Sequence, residues 1–185
     1  MLGTEEDLKR RKGLAIGTYN KMKDIIENKK TSKRTKLRIM QAYIKSIFLY
    51  NSKLWTLTKQ FEKEIDIFQR KIIRRMFQIK WFDKISNDEL YRMHKMVPWS
   101  EKVRERRLRW YGHLLRLDKN VPARQALSEA EKKVRKPTGG QKLTWLKQIE
   151  KDLLDLGIEK SRVGELAQDR LRWRQVISRR MPTQI

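Results

Sequence analysis

The stretch RERRLRWYGHLLRL, residues 104–117, crowds arginines, two aromatics, a histidine and four leucines into fourteen positions. It is too charged for a core helix and too apolar for a solvated one. With the residues just before it, two lines separate. Lys102, Arg106, Arg109, His113 and Arg116 step by 4, 3, 4 and 3, so on a helix they share one face. Val103, Trp110, Leu114 and Leu117 form a second line, widened by Leu108, Tyr111 and Leu115. The spacing predicts a helix that lays one face on a core and presents a row of cations on the other. Pro98 suits its first turn.

A charge row on a helix is often no more than a solvated face, and the composition weighs against that reading. The chain of 185 residues carries 46 Lys and Arg against 22 Asp and Glu, a formal net charge of +24. Charge on this scale repels itself unless something anionic neutralises it, which points to a polyanion as partner. Nucleic acid is the first expectation and a membrane surface the second. A membrane-surface helix sets lysines opposite an aromatic apolar face. Here arginine dominates the row and the apolar faces are committed to packing, so no membrane partner is expected. His113 reads as a polar member of the row rather than as a ligand or catalyst.

The remaining bounds are mostly exclusions. There is no cysteine, which rules out disulfides, thiol chemistry and Cys-based zinc sites. With only His94 and His113, an all-histidine metal site is out of reach. MLGTEEDLKRRKGLAIG, the first 17 residues, has no apolar run of signal-peptide length, and no segment approaches a membrane span. An intracellular protein, nuclear or cytoplasmic, is expected. A hydrophobic fraction of 38% is low, yet six Trp, five Phe and five Tyr argue for folded cores.

Helical periodicity runs through nearly the whole chain, with little strand-type alternation, so the fold class is all-α. Leu8, Ala15, Tyr19, Met22 and Ile26 predict a first helix from about Glu5 to Asn28, with Lys12 in the one missing slot. Ser32 is the N-cap expected for the second. That helix, KLRIMQAYIKSIFLYNSKLW (36–55), is the most apolar segment and is expected to be central, packed on at least two sides. Thr58 caps a third, with Phe61, Ile65, Phe68, Ile72, Met76 and Ile79 inward and Lys63, Gln69, Arg70, Arg74 and Arg75 on the other face. Ser86 and Glu89 have capping-box spacing, which accounts for the local carboxylates without catalysis. After Leu117 the periodicity weakens through Pro122, Pro137, Gly139 and Gly140, the mark of a linker with room for one short helix. It returns in Leu146, Ile149, Leu153 and Leu156, ending at Gly157 as a C-terminal cap. A last helix is expected from about Ser161 to Arg179, making an antiparallel hairpin with Trp145 and Trp173 as bulky contacts.

No catalytic pattern is visible. The chain has no phosphate-binding glycine loop, no Ser or Cys nucleophile with its base, and no converging carboxylates for two-metal chemistry. Asp83 and Asp88 come nearest to a pair, and a helix cap explains Asp88. No catalytic residue, metal, cofactor or small-molecule substrate is expected.

Several spellings together resemble the C-terminal end of LINE-like non-LTR retrotransposon endonuclease–reverse transcriptases. YNSKLW (50–55) is similar to the family's Y-G-x-E-x-W, with Asn51 and Lys53 in place of the usual Gly and Glu. IKWFDKISNDEL (79–90) resembles I-x-W-x-D-x-[IV]-[ST]-N-x-E-[LV]. RRLRWYGHLLRL (106–117) resembles R-L-R-W-x-G-H-[VL]-x-R, and AQDRLRWR (167–174) resembles A-x-D-R-x-x-W-R. GGQKLTW (139–145) stands where the family has G-R-P-x-x-T-W, without its Arg and Pro. In this order the motifs cover nearly the whole chain.

The resemblance implies a thumb followed by the C-terminal region, a fragment or remnant without the endonuclease, the fingers or the palm and its metal-binding Asp pair. Residues 1–95 would be a thumb-like helical bundle, 96–117 the basic amphipathic helix, 118–142 a flexible basic linker and 143–180 the C-terminal helical hairpin. The expected function is nucleic-acid binding, to RNA or a template–primer duplex, through phosphate contacts with little sequence preference. Lys102, Arg106, Arg109, His113, Arg116, Arg170 and Arg174 are the candidate binding residues. For Arg170 and Arg174 a salt bridge to Asp169 or a helix-end role is an equal alternative. Trp99 and Tyr111 are expected in the core, with stacking on unpaired bases as the alternative. The rival functional readings are part of an active RNA-directed DNA polymerase whose palm lies upstream, and an inactive structural remnant.

Overall fold

The computed structural model describes residues 3–132 and 143–178. The fold is all-α, and among the described residues there is no strand. The expectations about Pro137, Gly139, Gly140 and Arg179 lie outside the described residues. The chain divides into two compact units. The first is Met1–Asn51 with Leu57–Ser100, and the second is Ser52–Thr56 with Glu101–Ile185. These divisions fall at different points from the segments laid out above. No helix among the described residues is long and apolar enough to cross a membrane.

In the first unit, α1 (Thr4–Lys21) and α2 (Lys23–Ile26) replace the single helix expected to Asn28. The break is at Met22, whose backbone leaves the helical region (φ −108°, ψ 8°). Leu8, Ala15, Tyr19 and Ile26 are buried as their spacing requires, and Lys12, in the missing slot, pairs with Glu64 at 2.8 Å. α3 (Lys33–Ile39) starts at Ser32, whose hydroxyl accepts from the Thr35 amide. It passes through a π turn at Met40–Ile44 into α4 (Lys45–Phe48). The π turn has a readable cause. Lys36, Met40, Ile44 and Phe48 are all buried, each four residues on from the last. An α-helix of about 3.6 residues per turn would rotate such a series off one face, and the wider turn holds it in register.

The segment packs against α1 and, through Phe48 and Lys36, against α5 (Lys59–Met76), yet part of its surface stays open. Tyr43 and Tyr50 are exposed, and Arg11 lies 4.5 Å over the Tyr50 ring. Lys36 is buried because its amine donates to the Met76 carbonyl, at the end of α5. That is the place where a cation complements the helix dipole.

Thr58 caps α5 by accepting from the Phe61 amide. Phe68 of α5, Phe48 and Trp99 make an aromatic cluster with ring centroids 4.9–6.2 Å apart. Gln69, assigned by its spacing to the polar face, is fully buried instead. Its carbonyl accepts from the Trp99 amide (2.8 Å) and the Tyr91 hydroxyl, and its amide donates to the Val97 carbonyl (3.0 Å). It thereby satisfies backbone groups at the start of α7 (Trp99–Arg116), where Asp66 also accepts from the amide and hydroxyl of Ser100. Between them, α6 (Asn87–His94) is capped by Ser86, as its spacing implied.

Two outcomes follow from these buried polar groups. Replacing Gln69 with Leu removes the partner of the Trp99 amide and of the Val97 carbonyl, so unfolding free energy falls by about 2–3 kcal/mol in denaturant titrations, at the scale of orphaned buried groups. His94 is buried, stacked on Phe77 at 4.0 Å, with neither ring nitrogen partnered among the described residues. Burial, with Lys33 adding to it, lowers its pKa from 6.5 to about 4. The unfolded chain therefore takes up a proton that the folded chain refuses. Stability from this residue is complete above its unfolded pKa and declines as pH falls toward about 4, by up to about 3 kcal/mol. Urea titrations at pH 7, 6 and 5 should show this slope, and His94→Gln should flatten it.

Candidate nucleic-acid interface

The second unit is built on the part of α7 beyond Ser100, with α8 (Pro122–Lys132), α9 (Trp145–Leu154), α10 (Lys160–Gln168) and α11 (Arg170–Ile177). α8 occupies the expected linker and puts Leu127 in the core. Gly157, at φ 68°, ends the α9 segment as a C-cap, with the Ile158 amide donating to the Leu153 carbonyl. The last helix is not continuous. Asp169 leaves the helical region (ψ 104°) and its carboxylate accepts from the amides of Leu171 and Arg172, capping α11.

α7 has the two faces its spacing implied. Val103, Leu108, Tyr111 and Leu114 are buried, while Lys102, Arg106, Arg109, His113 and Arg116 are half-buried or exposed. The buried face also holds two cations that the spacing left unassigned, Arg104 and Arg107. Arg107 is 1% exposed. Its Nε donates to Asp152 of α9 at 2.7 Å and its Nη1 to the Trp55 carbonyl at 2.7 Å. The other Asp152 oxygen accepts from Gln148 at 3.2 Å. Burial pushes the Asp152 carboxyl above its ordinary value, and the guanidiniums of Arg107 and Arg104 oppose that shift. The signal for Arg107 was present in the sequence. It fills the one gap in the line 103–110–114–117, at steps of four and three.

The tryptophans of this unit are equally structural. Trp173 is buried and its indole donates to the Leu108 carbonyl at 3.1 Å. It reaches that carbonyl across Gly112, where an added Cβ would stand 2.2 Å from the indole nitrogen. Trp145 donates to the Lys53 carbonyl at 2.9 Å and meets Tyr111 edge-on. The Lys53 amine lies 3.8 Å over the Trp110 ring. Trp99 and Tyr111 are buried, so neither offers a ring face for stacking on a base.

On the outer face, Glu105 stands inside the row. Its two oxygens take Lys102 at 2.7 Å and Arg109 at 2.5 Å, so one carboxylate bridges two of the cations. Arg106 is half-buried, and burial followed by Arg109 lowers its pKa. His113 is half-buried with its ring 5.2 Å from that of Trp110. Arg116 donates to the Ala167 carbonyl near the end of α10, and burial and then Arg170 lower its pKa. The second of these causes puts Arg170 of α11 within electrostatic reach of Arg116. Arg170 and Arg174 are exposed, and neither makes an ion pair among the described residues. Asp169, the partner weighed for them, is engaged with the backbone of α11.

Single substitutions separate these roles. Gly112→Ala gains about 1 kcal/mol of helix propensity but drives a methyl into a fixed indole, so it should destabilise by about 1–3 kcal/mol net. Gly164→Ala, in α10 with open space around it, should stabilise by up to about 1 kcal/mol. Arg107→Met strands a buried carboxylate and should cost about 3–5 kcal/mol, most of which Asp152→Leu in the same chain restores. Denaturant titration of the four proteins checks all three.

No family model matches the chain, and no curated protein or solved structure matches it either.

Proposed function

We propose that this chain binds nucleic acid through the cation row of α7 and its extension on α11, without a catalytic centre of its own. The supporting observation is that Lys102, Arg109, Arg170 and Arg174 stand on the outer surface of a unit whose inward cations are already neutralised or buried, in a chain of net charge +24. A phosphate backbone is the ligand such a row suits. Each neutralised phosphate releases counterions and makes affinity fall with salt. Guanidiniums on this scale position a backbone rather than read a sequence. The motif spellings at 50–55, 79–90, 106–117 and 167–174 support a more specific version. In it, the chain corresponds to the thumb and C-terminal region of a LINE-like reverse transcriptase, and the ligand is element RNA or a template–primer duplex.

Fluorescence anisotropy of the full chain on a structured RNA, a DNA duplex and an RNA–DNA hybrid, each across a salt series, tests this reading. Arg109, Arg170 and Arg174 are the cations to remove, because they are exposed. Their joint replacement by Gln should lower the slope of log K against log salt by about three units, one per lost phosphate contact. Glu105→Gln should act in the opposite sense. Freed of the shared carboxylate, Lys102 and Arg109 should tighten binding about two- to fivefold at low salt, the scale of an exposed ion pair. Unchanged slopes in the triple variant reduce the row to a solvated face.

A further inference from the structure

The six tryptophans are not treated alike. Trp55, Trp99 and Trp173 are buried, Trp110 and Trp145 are half-buried, and Trp81 is 90% exposed. Phe82 beside it is 61% exposed, and the two rings stand edge to face at 5.9 Å and 75°. Isolated exposed hydrophobics are ordinary, but this pair is adjacent and mounted on a fastened turn. Trp81–Asp83 is a single 3-10 turn. The Asp83 carboxylate accepts from the Lys80 amide at 2.7 Å, and the Lys84 amide closes onto the Trp81 carbonyl.

Arg74 fastens the chain just beyond, donating to the Ile85 carbonyl (3.0 Å) and the Asn87 side chain (3.1 Å). Gln78 and Lys84, both non-glycine residues with φ above 50°, bracket the segment. Gln78 ends α5, with the Ile79 amide donating to the Arg74 carbonyl, and Lys84 ends the 3-10 turn, so the segment is held between two helix-ending residues. Lys80 and Lys84, both exposed, stand on either side of the pair in sequence.

We propose that the Trp81–Phe82 turn is a stacking platform for an unpaired base of single-stranded nucleic acid, with Lys80 and Lys84 meeting the phosphates on either side. An edge-to-face pair leaves most of its ring faces open, and an exposed indole face takes any base irrespective of sequence. Pinning the turn in advance removes the ordering cost of binding. A lipid surface fits less well. Burying both rings at an anionic interface would carry the Asp83 carboxylate in with them. This platform presupposes that the chain binds nucleic acid but does not depend on the α7 row, which meets phosphates and is indifferent to unpaired bases.

The first comparison needs no variant. At fixed salt, the full chain should bind an oligothymidylate of about 16 nucleotides roughly tenfold more tightly than an abasic strand of equal length, and tryptophan emission should fall on binding. Trp81→Ala should abolish that preference, weakening the thymidylate complex about tenfold without changing its salt slope. It should leave abasic and duplex binding untouched. Trp81→Tyr should restore most of the preference, and Lys80→Gln with Lys84→Gln should lower the slope by about 1.4 units, the single-strand scale for two lost phosphate contacts.

The row variant Arg109, Arg170, Arg174→Gln should lose duplex affinity yet keep the preference for bases over abasic sites, so the two sites fail independently. Equal affinity for the two strands overturns the platform, as does no binding of the thymidylate by the parent chain. So does an equal loss on every ligand in Trp81→Ala, or a loss confined to phosphatidylserine vesicles.

Discussion

The second unit depends on one buried ion pair. Arg107 and Asp152 lie 45 residues apart in sequence, and their pairing ties α7 to α9 while the same guanidinium holds the Trp55 carbonyl. Two charges cannot enter a core singly, because each would lose its hydration without compensation. Together, with Gln148 and a carbonyl filling the remaining hydrogen-bonding positions, they can. The net stabilisation of such a pair is small next to the cost of breaking it. What the pair contributes is therefore selection among arrangements. A helix as basic as α7 has many ways to present a hydrophobic stripe, and only the one that brings Arg107 to Asp152 avoids a stranded charge.

That constraint also sets the rotation of α7. Once Arg107 faces inward, Lys102, Arg106, Arg109, His113 and Arg116 are turned outward by helix geometry alone. The surface row is thus a consequence of a core interaction. Its electrostatics are then moderated by Glu105, whose bridge to Lys102 and Arg109 lowers the local charge without removing either cation. Arg116 is shared differently, since its donation to Ala167 gives it a structural duty near the end of α10. The cations with least structural obligation are Arg109, Arg170 and Arg174, so they can be replaced with little effect on the fold.

The local features were legible in the sequence because their causes are local. Ser32, Thr58 and Ser86 each cap a helix by accepting from an amide three residues on, and Gly157 takes the positive φ that ends α9. The two faces of α7 were legible for the same reason. What was not legible depends on partners far along the chain. Gln69 has the spacing of a polar-face residue, and nothing near it in sequence announces that Val97, Tyr91 and Trp99 need its amide. Arg107 fills a slot in the apolar line of α7, so its inward side was legible, but its partner Asp152, 45 residues further on, was not. The breaks at Met22 and Asp169 escaped because periodicity continues across them. A cap such as Asp169 interrupts hydrogen bonding without interrupting the hydrophobic pattern.

The family-like spellings can now be sorted by what their residues do. Gly112 exists for Trp173, since no side chain fits under that indole. Trp55 supplies the carbonyl for Arg107, Trp145 leans on Lys53, and Asp169 caps a helix. Lys53, where the resembling family has Glu, covers the Trp110 ring, so this departure has its own packing role in the chain. These residues maintain a fold and would do so whatever the unit binds. Their roles are accounted for by the fold alone, while any binding must be carried by side chains that the fold leaves free. Among the motif tryptophans only Trp81 is left free in this sense. A large aromatic kept on the surface by a pinned backbone has no packing to account for it, which is why it carries an argument about ligands that the buried tryptophans cannot.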